Sequence, residues 1–251
     1  MEIENFKFVD GRLPENERHV WDFFIRKDTQ DKEIIGEVIL NNTYQVGLML
    51  QMAGIDKPKA IVDLGAHIGS FTKSTALYFP ETSIFSYEAT EENFKLLEMN
   101  TENLSNVKIQ NSIVCGSRKP AKIWWDQREK QGGMNTGGTR ILYEGDEYNN
   151  DLEDTILLDD KVSSTSLEEI IENNNLDQID YLKMDIEGSE YDVIKAARKS
   201  GVLKKVKCLV CELHVNPKRG RFMGDFISNL DEFKAIRMTN NNNYRIVYAI
   251  Q

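Results

Sequence analysis

The stretch IVDLGAHIGSFT, Ile61 to Thr72, decides how the rest of the chain is read. An apolar run meets an aspartate, two glycines frame a short turn, and a helical pattern follows. Glycines at a strand exit let the backbone turn tightly and approach a ligand with no Cβ in the way. A dinucleotide fingerprint needs G-x-G-x-x-G. Here Gly65 and Gly69 are spaced G-x-x-x-G, with His67 where the middle glycine would stand. Asp63 beside the turn is expected to repel phosphate, so a ligand with an ammonium group and no diphosphate fits better.

Outward from that turn, strands alternate with helices. AIVDLG follows the break at Lys57-Pro58-Lys59, and SFTKSTALYF runs as a helix to Pro80. TSIFSYEA is the second strand. TEENFKLLEMNTEN is the next helix, with Thr90 as N-cap and Glu91 and Glu92 favourably placed in the first turn. NVKIQNSIVCG, IDYLKMDI and KCLVCELH supply three more strands. A capping-box pattern at Thr165 to Glu168 opens one intervening helix, and Gly201 stops another. FKAIRM and YRIVYAI flank an asparagine turn and predict an antiparallel hairpin.

This alternation predicts an α/β fold: a Rossmann-like, mostly parallel seven-stranded sheet ending in that hairpin. Residues 1–57, with Val20, Phe23 and Phe24 at helical spacing, predict an N-terminal helical cap; residues 58–251 would form the main domain. Within it, residues 117–162 are glycine-rich and acidic, an irregular insert expected to act as a substrate lid. Trp124 and Trp125 in that insert are read as core or as a stacking surface for a sugar.

The formal net charge of -10 over 251 residues leaves no basic block to grip a phosphate backbone, so a nucleic-acid partner is not expected. No apolar run is long enough to span a bilayer, and the N-terminus lacks the plan of a signal peptide. Three cysteines and no export signal predict a cytoplasmic chain with reduced thiols. Cys208 and Cys211, three apart on a strand, should point to opposite faces.

Ligands of such sheets sit at the carboxyl ends of the strands. Those ends carry acids: Asp63, then Glu88, then Asp185 with Glu187 and Glu190, then Glu212 with His214. Glu88 is placed to accept from both hydroxyls of a ribose. An amino-acid end and a ribose without a diphosphate describe S-adenosylmethionine. The rival classes are an NAD-dependent oxidoreductase, which the glycine spacing disfavours, and a non-catalytic protein that binds S-adenosylmethionine.

VDLGAHIGSFT, FSYEATEENFKLLEMN and IDYLKMDIEGSEYDVIKAA, followed by VCELH, together resemble the FkbM family of class I S-adenosylmethionine-dependent methyltransferases. The resemblance runs from about Ile61 to His214. It implies that Asp63, Gly65, Ala66, His67 and Gly69 line the methionine portion of the cofactor, that Glu88 and Ala89 hold the ribose region, and that Ser112 and Ile113 lie near the adenine. His67 stands where the family often has asparagine, and Ala89 where it often has proline. The implied reaction is methyl transfer to a hydroxyl, less often a nitrogen, of a sugar or small metabolite.

A sulfonium is already an excellent leaving group, so the protein's task is to align the nucleophile. A hydroxyl nucleophile must also lose its proton. Asp185 is expected to face the methyl group, His214 is the base of choice by its ordinary pKa, and Glu212 completes the catalytic group. Tyr44 is read as a cap over the methionine end. A divalent cation on Asp185, Glu187, Glu212 and His214 is the alternative use of these groups, and not the favoured one. Glu187 and Glu190 also open a helix, where acids are stabilising for reasons unrelated to catalysis.

Overall fold

The computed structural model describes residues 2–9, 20–116, 120–126, 129–130, 133–143, 155–158, 162–215, 222–240 and 245–251. The chain begins with an antiparallel strand pair, β1 (Ile3–Val9) and β2 (Val20–Arg26), followed by α1 (Asp31–Ile39) and α2 (Val46–Met52). The helix expected around Val20, Phe23 and Phe24 is therefore strand β2. Trp21, Phe23 and Ile25 are 2%, 0% and 0% exposed while Val20 is 47% exposed, a period of two that overrides the apparent helical spacing. So the first 57 residues are not a purely helical cap.

The core follows as β3 (Ala60–Leu64), α3 (Ser70–Tyr78), β4 (Ser83–Glu88), α4 (Glu91–Thr101) and β5 (Val107–Val114). Asn100 on α4 ties the first segment to this core. It accepts from Phe24 N at 2.7 Å and donates to Phe24 O at 3.0 Å and Ile68 O at 2.7 Å.

The insert is more regular than its composition suggests. Its described parts are β6 (Pro120–Asp126), β7 (Glu129–Lys130), β8 (Gly133–Met134), β9 (Thr139–Tyr143) and β10 (Thr155–Leu158). Strands β10, β6 and β9 form an antiparallel sheet in that order, and β7 pairs with β8. The side chains of Trp124 and Trp125 lie outside the described residues.

The chain then returns through β11 (Ser163–Thr165), α5 (Leu167–Asn173), β12 (Ile179–Met184), α6 (Glu190–Ser200), β13 (Val206–Leu213), α7 (Met223–Ile227), β14 (Ala235–Asn240) and β15 (Arg245–Ile250). The capping box falls one residue later than its pattern suggested, on Ser166 and Glu169. The central sheet has the order β11-β5-β4-β3-β12-β13-β15-β14, eight strands rather than seven, because short β11 adds to the edge of β5. Pairings from β11 to β13 are parallel, and β15 runs antiparallel to both β13 and β14.

From β3 the chain first builds outward through β4 and β5, then returns to lay β12 on the opposite side. The order reverses between β3 and β12, and this is where an open α/β sheet leaves a crevice at its strand exits. Alternating side chains fill both faces: Val62, Leu182 and Cys211 pack on one, Ile61, Tyr181 and Cys208 on the other. The two thiols therefore diverge, as alternation requires. No helix among the described residues is long and apolar enough to cross a membrane.

Candidate active site

The glycine turn sits at the switch point. Gly65 has φ +81, and a Cβ there would lie 1.7 Å from the Asp185 carbonyl oxygen, so only glycine fits without displacing the β12 exit. Asp63 faces beneath this turn, not into the crevice. Fully buried, it lies opposite Lys183 in the β3–β12 register, with its Oδ1 3.0 Å from Lys183 Nζ. Its Oδ2 accepts from the Thr72 hydroxyl at 2.6 Å. Lys183 also donates to Gly65 O at 2.6 Å, so the ion pair supports the turn from below. Burial works against the Lys183 cation, but the carboxylates of Asp63 and Asp185 outweigh it and hold its pKa above the ordinary value. The phosphate-repelling role expected of Asp63 is thus corrected: Lys183 already answers its charge.

His67 adopts a left-handed φ of 52, a conformation in which histidine and asparagine are both over-represented. One backbone constraint thus accounts for histidine standing where the family often has asparagine. The His67 amide donates to Glu88 Oε2 at 2.8 Å. Its Nε2 lies 3.0 Å from Thr136 Oγ1, which donates to Asp31 Oδ1 at 2.9 Å. Asp31 in turn receives Arg26 through Nε at 3.0 Å and Nη2 at 2.9 Å. Burial raises the Asp31 pKa, yet the Arg26 hydrogen bond and the nearby His67 and Arg26 charges bring it below the ordinary value. This chain joins the first segment, the glycine turn and the insert.

Glu88, at the end of β4, is held by four donors. Its Oε1 accepts from Thr90 N at 3.0 Å, from the Thr90 hydroxyl and from Asn93 Nδ2 at 3.2 Å. Thr90 occupies the N-cap position of α4, but its side chain serves Glu88 and not the helix. Oε2 accepts only the His67 amide among the described residues, which leaves it capacity for a ligand hydroxyl.

The far rim is formed by the exits of β12 and β13. Tyr44 donates its hydroxyl to Asp185 Oδ2 at 3.1 Å. His214 Nδ1 lies 2.9 Å from Glu190 Oε1, which also accepts from Gly188 N at 3.0 Å and Ile186 N at 3.2 Å. His214 Nε2 stands 3.6 Å from Glu187 Oε2 and 3.8 Å from Glu212 Oε1. Burial alone would lower the His214 pKa, but the Glu187 and Glu190 carboxylates raise it well above the ordinary value. Burial, reinforced by Asp185, pushes Glu212 up to about 9.

Between these walls lies a cavity of about 810 Å³. Of the residues expected to bind or react, Tyr44, Gly65, His67, Glu88, Ala89, Ser112, Asp185, Glu212 and His214 line it. Asp63, Ala66, Gly69 and Ile113 do not; Gly69 instead lets α3 approach α4, where a Cβ would meet Leu97 at 2.8 Å. Sequence reading missed the wall supplied by α1, where Glu33 with Glu37 and Ile34 with Val38 repeat at helical i, i+4 spacing. It also missed Asn93, Asn135 and Lys183. The last left a visible signal, a lone lysine within the apolar strand IDYLKM.

Acids dominate the wall, with His214 as a cation among them. Glu33, Glu37, Glu88, Asp185, Glu187 and Glu212 line it, and no lysine or arginine does so among the described residues. Beneath it, His67 Nδ1 and Asn93 Oδ1 are closed off from the cavity. The spare capacity of Glu88 Oε2 fits a ligand rich in donors, as the ribose of S-adenosylmethionine is.

A doubly wound sheet with its cavity at the switch point defines a nucleotide- or nucleoside-binding α/β protein. Residues 63–246 match the methyltransferase FkbM domain, and the chain belongs to that family of S-adenosylmethionine-dependent methyltransferases. No curated protein matches the chain significantly. Among solved structures, it is similar to precorrin-6y C5,15-methyltransferase from Geobacter metallireducens GS-15, at 11% identity over 82% of this chain and 86% of that one, with a TM-score of 0.44. It is also similar to the N-terminal domain of human METTL16 in complex with SAH, at 14% identity over 84% and 69%, TM-score 0.47. A third likeness is a putative O-methyltransferase from Klebsiella pneumoniae, at 10% identity over 84% and 79%, TM-score 0.45.

Proposed function

We infer that this protein transfers a methyl group from S-adenosylmethionine to a hydroxyl of a sugar or other small metabolite. The observation that carries the reading is the cavity wall, where Glu33, Glu37, Glu88, Asp185 and Glu187 outnumber the one cation, His214, and no described lysine or arginine stands. Such a wall attracts a sulfonium and an ammonium and repels a diphosphate or a nucleic-acid backbone.

S-adenosylmethionine, when bound, supplies a methyl group on a positively charged sulfur. Glu88 accepts from the ribose through Oε2, the oxygen with spare capacity. Ala89, Ser112 and Ile141 form the flatter part of the wall, suited to a base. Asp185, Glu212 and His214 lie on the acceptor side, where Glu212 and His214, both already protonated, orient the incoming hydroxyl and Asp185 takes up its proton. The described insert contributes Asn135, Gly137 and Ile141 to the wall, and this supports its role as a wall or lid of the cavity.

Calorimetric titration tests the reading. SAH should bind and NADH should not; saturation by NADH with no heat from SAH would overturn it. Gly65→Ala should abolish SAH binding, because its Cβ has to displace the Asp185 backbone. Asp185→Ala should retain SAH binding and lose turnover, and unchanged turnover would remove Asp185 from the acceptor side.

A further inference from the structure

The acceptor rim carries a second arrangement that methyl transfer by itself does not need. One ligand atom each from Asp185, Glu212 and His214 lies within 4.8 Å of those of the other two. The groups converge without bonding to one another: His214 Nε2 is 3.6 Å from Glu187 and 3.8 Å from Glu212, both beyond hydrogen-bond range. All three face the cavity, so positions around a shared point between them open onto the acceptor.

Their outer partners are already in place. Tyr44 fixes Asp185 from behind through the 3.1 Å hydrogen bond. Glu190 fixes the His214 ring through Nδ1 at 2.9 Å, which turns Nε2 toward the carboxylates. A histidine held by a carboxylate on one nitrogen, with the other aimed at acidic oxygens, is how metal-binding imidazoles are oriented. A further observation comes from Glu190 itself. It is fully buried, and its Oε1 takes the Gly188 and Ile186 amides together with the ring nitrogen, so the imidazole is held by a carboxylate that is itself fixed.

We propose that Asp185, Glu212 and His214 bind one divalent cation, with Tyr44 and Glu190 as the groups that position the ligands. Two carboxylate oxygens and one imidazole nitrogen suit a transition-metal dication such as Mn²⁺ better than Mg²⁺, whose ligands are oxygens. The remaining coordination positions take water or two neighbouring oxygens of the acceptor, which narrows the acceptor class to vicinal diols and hydroxy acids. Metal and protons compete for the same groups, so the ion displaces protons from the rim when it binds. The site does not depend on the identity of the methyl donor.

The test is a titration of the full chain, stripped with a chelator, with Mn²⁺ followed by electron paramagnetic resonance. The wild type should bind one Mn²⁺ per chain at sub-millimolar concentration, and pulsed measurements should show coupling to one imidazole nitrogen. Glu212→Gln and His214→Ala should weaken binding at least about tenfold, and Glu190→Gln, which orients the ring without touching the ion, about 10–100-fold. Absence of nitrogen coupling in the wild type overturns the proposal and needs no variant to fold. So does equal affinity in the wild type and a folded Glu212→Gln. SAH titrated into the same samples separates the two readings: SAH binding without Mn²⁺ sinks only the ion site, and Mn²⁺ binding without SAH sinks only the methyl donor.

Discussion

Two charge clusters flank the glycine turn, and they are built on opposite terms. Beneath it, Lys183 and Asp63 answer each other at 3.0 Å, fully enclosed, with Thr72 and Gly65 taking the remaining hydrogen bonds. At the rim, two residues further along the same strand exit, Asp185, Glu187, Glu190 and Glu212 gather around the single imidazole of His214. Buried charge that serves the fold is paired, because an unpaired ion in the interior costs several kcal/mol. Charge left in excess beside an open cavity is expensive to keep and points to what a ligand must bring.

The comparison breaks most visibly at the floor. Lys183→Met should leave Asp63 buried and alone, at a cost of about 3–5 kcal/mol. Scanning calorimetry should register this as a fall in Tm of roughly 6–20 °C, at about 2–4 °C per kcal/mol for a chain of this size. Adding Asp63→Leu should restore most of the loss, since an apolar pair of similar volume replaces a buried ion pair at little cost. An unchanged Tm in the single variant would mean that the pair does not hold the turn.

Asp31 gives a smaller, pH-dependent effect. Asp31→Asn should cost about 2–3 kcal/mol through its charged hydrogen bonds to Arg26. Because Arg26 and His67 hold the Asp31 pKa below its ordinary 3.8, its stabilisation is fully present above that value. It is lost as pH falls through the lower folded value. Urea melts between neutral and acid pH should therefore show a steeper acid limb in the wild type than in the variant, and parallel limbs would refute the linkage.

The rim should respond least in stability and most in chemistry. With Glu212 pushed up to about 9, its carboxyl already holds a proton at neutral pH in the metal-free chain, so Glu212→Gln should change stability by under about 0.5 kcal/mol. Methyl transfer should nevertheless fall by about 10²-fold, the scale of an acceptor misplaced by about 1 Å. A large drop in Tm would place Glu212 with the structural charges instead.

Much of this was legible along the chain because it is local. The glycine turn, the strand exits and the helix stop at Gly201 each depend on a few neighbouring residues, and nine of the thirteen residues expected to act do line the cavity. What was not legible depends on distant partners. Asp63 and Lys183 meet only through the β3–β12 register, so the aspartate looked like a ligand contact. Phe23 and Phe24 are both apolar, so β2 mimicked a helical face until Trp21, Phe23 and Ile25 were seen to turn inward together. In the insert, glycines and acids hid strands that pair with one another and not with the central sheet.

The chain of contacts from Arg26 through Asp31 and Thr136 to His67 bears on where the working unit begins. The family match starts at residue 63, yet Glu33, Glu37 and Tyr44 form one side of the cavity, and Asp31 anchors the turn that faces it. A fragment cut at the family boundary would lose most of β3 together with one side of its vessel. The stretch ahead of the family signature is part of the vessel's wall, and recombinant truncation there should be judged by ligand retention before yield.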